Sequence, residues 1–310
     1  MDLVVLAPVY NDWESLACLM GELAGVKPKG AHWAVYAVND GSSQFPETIA
    51  VPEGLSLNIL HLSMNLGHQR AINIGLCYLL ESQPNWERVL IMDSDGEDRP
   101  QDIAALMEKY DGKNLVFAER RKRSEGWAFK SFYVAYRTAF KVLTGKVISF
   151  GNFSLVPRYA VKAMVQNADF WNHYPGAVIK SRLPYTAVRT ERGNRYAGES
   201  KMNFTNLIVH GLSSFSLYLD TIIVRMLMAA TALIMVSIGG MGLVLYMKYI
   251  SKVAIPGWTS FLMAIILNIL LTVSLFIFMI VLQHLNNRRQ PPSRPLDYYK
   301  KFIEDVEVRG

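Results

Sequence analysis

An α/β fold with a mostly parallel sheet covered on both faces, continued by two membrane-crossing helices, is what this sequence predicts. Three observations carry that expectation. Five short apolar runs alternate with helical patterns over the first 118 or so residues, the arrangement of a parallel sheet packed on both faces. Two uncharged stretches near the C-terminus are each long enough to span a bilayer. Hydrophobic residues make up 51% of the 310 positions and charged ones only 19%, and the apolar excess lies mostly after residue 222.

Taken in order, Leu3–Ala7 is a β-rich run ended by Pro8, and Trp13–Ala24 carries Leu16, Leu19, Met20 and Leu23 at helical spacing. Ala34–Val38 is a second buried strand that runs into Asn39-Asp40-Gly41-Ser42. Leu57–Leu62 is a third, followed by a helix over Asn65–Leu80. Val89–Met92 is a fourth strand, Gln101–Tyr110 a helix and Leu115–Ala118 a fifth strand; Phe129–Leu143 is helical again. Cys18 and Cys77 lie in apolar helical patterns and read as reduced core residues, too few for a disulfide framework.

Ligands of such sheets bind at the carboxyl ends of the strands. Pro8-Val9-Tyr10-Asn11, Asp40 and Asp93-x-Asp95 all fall there. The stretch VLIMDSDGEDRP packs Asp93, Asp95, Glu97 and Asp98 behind a buried strand, where their mutual repulsion and desolvation call for a cation. Asp-x-Asp suits a hard divalent ion holding a pyrophosphate; the same stretch also reads as a polar turn with a helix cap at Asp98 and Pro100 in the first turn. Pro8 and Tyr10 can wall a flat base. Asp12 or Asp40 can accept hydrogen bonds from base or ribose, Asp93 can do so on the ribose side, and Asp95 with Glu97 can hold the metal. Neither GxGxxG after the first strand nor GxxxxGK[ST] is present.

PVYN, NDGS, NLGHQRAINIG and DSDGEDRP, in this order over residues 4–201, resemble the family 2 glycosyltransferases with a GT-A nucleotide-sugar domain. More narrowly they are similar to the polyprenyl-phosphate glycosyltransferases, the group of dolichyl-phosphate mannose synthase and the bacterial polyprenyl-phosphate glucosyltransferases. The resemblance implies nucleotide binding by Pro8, Tyr10, Asp12, Asp40 and Asp93, and Mg²⁺ or Mn²⁺ on Asp95. Asp12 stands where many relatives have Glu, and Glu97 where many have Gln; both keep an oxygen ligand. The resemblance further implies that Arg120 and Lys130, with Arg123 beside them in ERRKRSEGWAFKS, bind the acceptor phosphate, for which a guanidinium fork is well suited. Asn152 departs from relatives that often carry an aspartate there, a candidate base. An amide is no base, but a phosphate monoester is already anionic at neutral pH, so Asn152 favours a phosphate acceptor or places the base elsewhere. RGNRYAGESK matches a family stretch in Arg195, Gly198, Ser200 and Lys201, and is expected to close over the donor pyrophosphate or face the lipid phosphate. The Gln-x-x-Arg-Trp of processive synthases is absent.

From Met202 the pattern becomes an amphipathic helix over residues 202–221, fit to lie in the headgroup plane, although a helix packed on the soluble domain would carry the same stripe. Transmembrane helices are expected at about 226–247 and 258–282 within residues 222–285, and a cytoplasmic tail over 286–310. Arg225 and Arg288-Arg289 place both flanks, and hence both termini, in the cytoplasm of an inner-membrane protein. The N-terminus reads as a strand and lacks a basic leader. The net charge of +6 suits anionic lipid or phosphorylated substrates, while no basic stripe is interleaved with aromatics as nucleic-acid binding requires. The expectation is a glycosyltransferase that moves one sugar from a nucleotide-diphosphate sugar, UDP-linked by preference, to undecaprenyl or another polyprenyl phosphate with inversion. Association into homo-oligomers is open. The alternatives are a glycerolipid hydroxyl as acceptor, with Glu119 or Glu125 as base, and a non-catalytic membrane module.

Overall fold

The computed structural model describes residues 2–46, 48–120, 127–198, 211–251, 257–288 and 294–309, without the side chains of residues 127–133, 135, 287 and 288. The chain forms two compact units: Met1–Arg137 with Lys146–Leu217 and Pro292–Gly310, and Thr138–Gly145 with Tyr218–Pro291.

The first unit is built on a sheet of strands β1 (Leu3–Val9), β2 (Trp33–Asn39), β3 (Leu55–Leu62), β4 (Arg88–Ile91), β5 (Leu115–Arg120), β6 (Ser154–Pro157), β7 (Tyr185–Thr190) and β8 (Ile303–Arg309), in the order β7-β5-β6-β4-β1-β2-β3-β8. β6 and β8 run antiparallel to their neighbours and the other pairs are parallel. Every residue of β1 is buried, because both faces are covered. Leu6 and Val38 pack with Ala71, Ile72 and Leu76 of α2 (His68–Ser82), whereas Val5 and Leu57 pack with Leu16, Leu19 and Leu23 of α1 (Trp13–Val26). Cys77 is buried as expected, but Cys18 lies on the exposed side of α1. Pro8 does not end β1. It stays in register with Val38, near the strand's last residue, where a missing N–H costs little.

Further helices are α3 (Ile103–Lys109), α4 (Trp127–Thr144), α5 (Arg158–Met164) and α6 (Tyr174–Ser181). The tail expected over 286–310 differs from its expectation. Residues Ile303–Arg309 return to the sheet as β8, antiparallel to β3, and the segment before them is pinned by the buried Tyr299, whose hydroxyl donates to Glu81 at 2.7 Å. An edge strand has one neighbour and needs few apolar contacts, here Ile303 and Val306, so its charges read as a solvated tail. Residues 202–210 of the amphipathic helix expected over 202–221 lie outside the described residues. Of the described residues, 211–216 are helical, 217–218 form a turn and 219–221 already belong to the first long apolar helix; Ser214 is buried beside the Tyr136 hydroxyl and Phe215 lies edge-on to the Tyr136 ring.

The second unit holds two paired helices, Leu219–Tyr249 and Trp258–Arg288, with mean hydropathies of 2.2 and 2.9 over their apolar spans. At 31 residues each they extend about 46 Å, more than the roughly 30 Å hydrocarbon core of a bilayer. The extra turns hold polar groups: Asp220 and His284 meet at 3.1 Å, and Arg225 caps α4 through the Val142 carbonyl.

Candidate functional site

β1, β2, β4 and β5 end on one rim of the sheet, and their exit loops are fastened to one another. Asn11, in the left-handed region at φ 47°, accepts the N–H groups of Ser43 and Gln44, and its own N–H donates to Ser42 Oγ at 2.8 Å. This ties the loop after β1 to the loop after β2 and leaves Tyr10 exposed on the rim, while Pro8 is buried in the strand. Asp40 accepts the N–H groups of Leu66 and Gly67 at 2.7 and 2.9 Å, so its carboxylate also fixes the turn that starts α2. Burial raises its pKa, and those two N–H groups oppose the rise.

The acidic turn after β4 is divided among three arginines. Arg195 spans Asp12 and Asp95, at 3.0 Å from Asp95 Oδ2. Arg192 pairs with Glu97 at 2.5 Å, and Arg120 pairs with Glu97 at 3.2 Å and with the fully buried side chain of Asp98. Asp98 therefore does not cap the following helix as the sequence suggested. Its other oxygen accepts the Asp93 N–H at 2.8 Å, and Arg99 takes the cap position before Pro100. The loop 192–198 lies directly on the turn: Gly193 N–H donates to the Glu97 carbonyl and Tyr196 N–H to the Asp95 carbonyl. A Cβ at Gly193 would stand 2.1 Å from the Gly96 carbonyl oxygen, so only glycine allows this approach.

A directed chain of hydrogen bonds reaches the same turn from below. Tyr174 N–H can only donate, so Gln69 presents its oxygen to it at 2.5 Å and its amide N–H to Asn152 Oδ1 at 2.9 Å. The Asn152 amide N–H is thereby turned toward Asp93, to which it hydrogen-bonds. Burial pushes Asp93 and Asp98 up, both to about 6, and repulsion from Asp95 on Asp93 and from Asp93 on Asp98 adds to it. Asp95 is raised as well, chiefly by burial. Burial would raise Glu97 too, yet Arg192 and Arg120 outweigh it and hold it low.

Among the described residues no group of three or more metal-type side chains is spaced to hold an ion. Asp12 and Asp95 nevertheless converge on a single guanidinium, which makes the gap between them a place for positive charge. Two hard oxygen donors there fit a divalent cation that keeps positions open for diphosphate oxygens. Glu97 has both its oxygens in ion pairs with Arg192 and Arg120. The site thus brings together Tyr10, Asp12, Asp40, Asp93, Asp95, Glu97, Arg120 and Arg195. Arg123, Ser200, Lys201 and the Lys130 side chain lie outside the described residues. The roles of Gln69 and Arg192 escaped sequence reading, although both sit inside the motifs NLGHQRAINIG and RGNRYAGESK.

The model of the family described as glycosyl transferase family 2 matches residues 4–164. An uncharacterized glycosyltransferase of Synechocystis sp., sll0501, is 27% identical over 288 residues, covering 86% of this chain and 85% of its own. Glucosyl-3-phosphoglycerate synthase from Mycobacterium tuberculosis, crystallised with Mn²⁺, UDP and glucosyl-3-phosphoglycerate, aligns over 71% of this chain and 79% of its own at 14% identity and a TM-score of 0.48. A mycobacterial protein of known crystal structure aligns over 71% of this chain and 74% of its own at 14% identity and a TM-score of 0.50, a likeness of fold alone.

Proposed function

The chain belongs to glycosyl transferase family 2 and is a glycosyltransferase that uses a nucleotide sugar, and on that premise we propose that it moves one sugar from a UDP-sugar to a polyprenyl phosphate such as undecaprenyl phosphate, with inversion. The observation that carries the acceptor is Asn152. The group turned toward Asp93 is an amide whose orientation is set by Gln69 and Tyr174, so it takes no proton from a nucleophile. A phosphate monoester needs none taken, since it is an anion at neutral pH. The two long apolar helices suit an acceptor whose tail stays in a bilayer. The first folded unit contains both the residues before the helix pair and those after it, which supports a hairpin with both flanks on one side, the cytoplasmic side by the Arg225 and Arg288 bias.

In this mechanism an acceptor phosphate oxygen attacks the anomeric carbon as the nucleoside diphosphate leaves from the opposite face. Mg²⁺ or Mn²⁺, held by Asp95 with Asp12, would neutralise the leaving diphosphate. Tyr10 and Asp40 belong to the base and ribose side, and Asp93 to the ribose. Arg195, which joins Asp12 and Asp95, exchanges those carboxylates for diphosphate oxygens as the donor enters. Arg120 keeps Asp98 and Glu97 in place, and with Arg123 and Lys130 it meets the acceptor phosphate.

Purified full-length protein in detergent, given radiolabelled nucleotide sugars and undecaprenyl phosphate, is expected to form a labelled lipid only with Mg²⁺ or Mn²⁺ present. Label entering a glycerolipid instead would replace the acceptor, and no turnover of any sugar nucleotide would sink the reading. Asn152→Asp provides a second test. It removes a donor and sets a like charge beside Asp93, and is expected to lower kcat by about 10-fold, the equivalent of about 1.4 kcal/mol. A gain would mean that the site wanted a base and that the acceptor is a hydroxyl.

A further inference from the structure

We propose that the C-terminal strand β8 is part of the nucleotide site, with Glu307 and His61 as positioning residues that hold the loop after β2 through Asn39. Ser42 N–H donates to Asn39 Oδ1 at 3.0 Å, which fixes the orientation of the Asn39 amide. The Asn39 Nδ2–H₂ group then faces His61 Nδ1 at 3.1 Å. Two donors cannot face each other, so His61 Nδ1 is the acceptor and the ring proton sits on Nε2. That nitrogen lies 3.6 Å from Glu307 Oε2, in β8. Glu307 pairs in register with Ile59, two residues from His61, which places both side chains on one face of the sheet edge. Arg309 holds the other Glu307 oxygen at 2.6 Å.

The chain continues onto the rim. Ser42 Oγ accepts the Asn11 N–H at 2.8 Å, and Asn11 accepts from Ser43 and Gln44, so the loops after β1 and β2 form one hydrogen-bonded piece. His61 also supports that piece by packing: its ring lies 5.2 Å from the Phe45 ring, which in turn lies 5.3 Å from Trp13, and Trp13 Nε1–H donates to the Gln44 carbonyl at 2.6 Å. Tyr10 and Asp40 flank this piece directly. Glu307 and His61 touch none of the groups assigned to substrate, and act by fixing the loops that carry them. The residues that hold the nucleotide loops in place therefore include some that follow the apolar helix pair in the chain. The inference rests on the proposed assignment of Tyr10 and Asp40 to the nucleotide.

The test is nucleotide affinity of the full chain in detergent, with UDP and GDP each titrated in the presence of Mg²⁺. Glu307→Ala and His61→Ala are expected to weaken binding about 3- to 10-fold, as for one or two lost hydrogen bonds, and to raise the donor KM with little change in kcat or in the acceptor KM. Glu307→Gln keeps an oxygen for the His61 Nε2–H and is expected to retain near-native affinity, which a role in mere charge balance would not give. Thermal melts of each variant identify any that fail to fold, and Glu307→Gln against Glu307→Ala then decides the matter on folded protein. Equal affinity for all variants and the parent overturns the inference while leaving the nucleotide assignment intact. A parent that binds neither nucleotide overturns both.

Discussion

Asp95→Asn is expected to lower sugar turnover on the order of 10³-fold, the largest loss of any single substitution on the rim. The side chain has one charge and two engaged oxygens: Oδ1 accepts the Glu97 N–H at 3.0 Å, and Oδ2 meets Arg195 at 3.0 Å. Asparagine keeps the shape and one acceptor but removes the charge that pairs with Arg195 and would ligate a divalent ion. Several kcal/mol of stabilisation of a leaving diphosphate disappear with it, and each 1.36 kcal/mol is about tenfold in rate. Two measurements independent of turnover accompany the assay. Mn²⁺ affinity, followed by electron paramagnetic resonance, is expected to fall with Asp95→Asn. Proteolysis near residue 195 is expected to quicken, because the loop loses one of the two carboxylates that hold Arg195. Turnover within tenfold of the parent would remove Asp95 from the centre of the donor site.

The positions of these acids were legible in the sequence, and their partners were not. β1 to β5 stand out because strands buried on both faces are continuous apolar runs between helices, and acids that follow such runs must gather on one rim. β7 and β8 lie at the sheet edges with alternating or exposed residues, so nothing in Tyr185–Thr190 or Ile303–Arg309 separates them from loop or tail. Pairing within the site is a long-range property. Arg195 meets Asp12 across 183 residues, and Gln69 meets Asn152 across 83. Local rules also misassign residues with two uses. Asp98 stands where a helix cap belongs, yet the half-buried Arg120 offers it a charged partner, stronger than a neutral N–H. The identity of Asn152 was visible, but its direction follows only from the Tyr174 N–H, a backbone group on another element.

Arg120 is where stability and chemistry separate most cleanly. Its guanidinium is the charged partner of Asp98, whose side chain is fully buried, and it also pairs with Glu97. Removing one member of such a pair strands the other, so Arg120→Ala is expected to destabilise the fold by about 3 kcal/mol or more at pH 8. The sign with pH follows from Asp98. Burial and then Asp93 raise its folded pKa from 3.8 to about 6, so between those values the native state binds more protons than the unfolded one. Stability therefore falls as pH rises through this window, and because Arg120 opposes the rise in the Asp98 pKa, its removal steepens the fall, so the loss in Arg120→Ala is expected to be larger at pH 8 than at pH 5, as read from thermal melts in detergent. Asp98→Asn added to Arg120→Ala removes the stranded charge and keeps an acceptor for the Asp93 N–H, so the double variant is expected to recover much of the stability. Its activity then decides what else Arg120 does. Recovery of turnover along with stability would confine Arg120 to holding the acidic turn. A stable double variant with a raised KM for the lipid phosphate and an unchanged donor KM would place the Arg120 guanidinium on the acceptor itself, because the turn contact still lost, that to Glu97, leaves Glu97 held by Arg192 on the donor side.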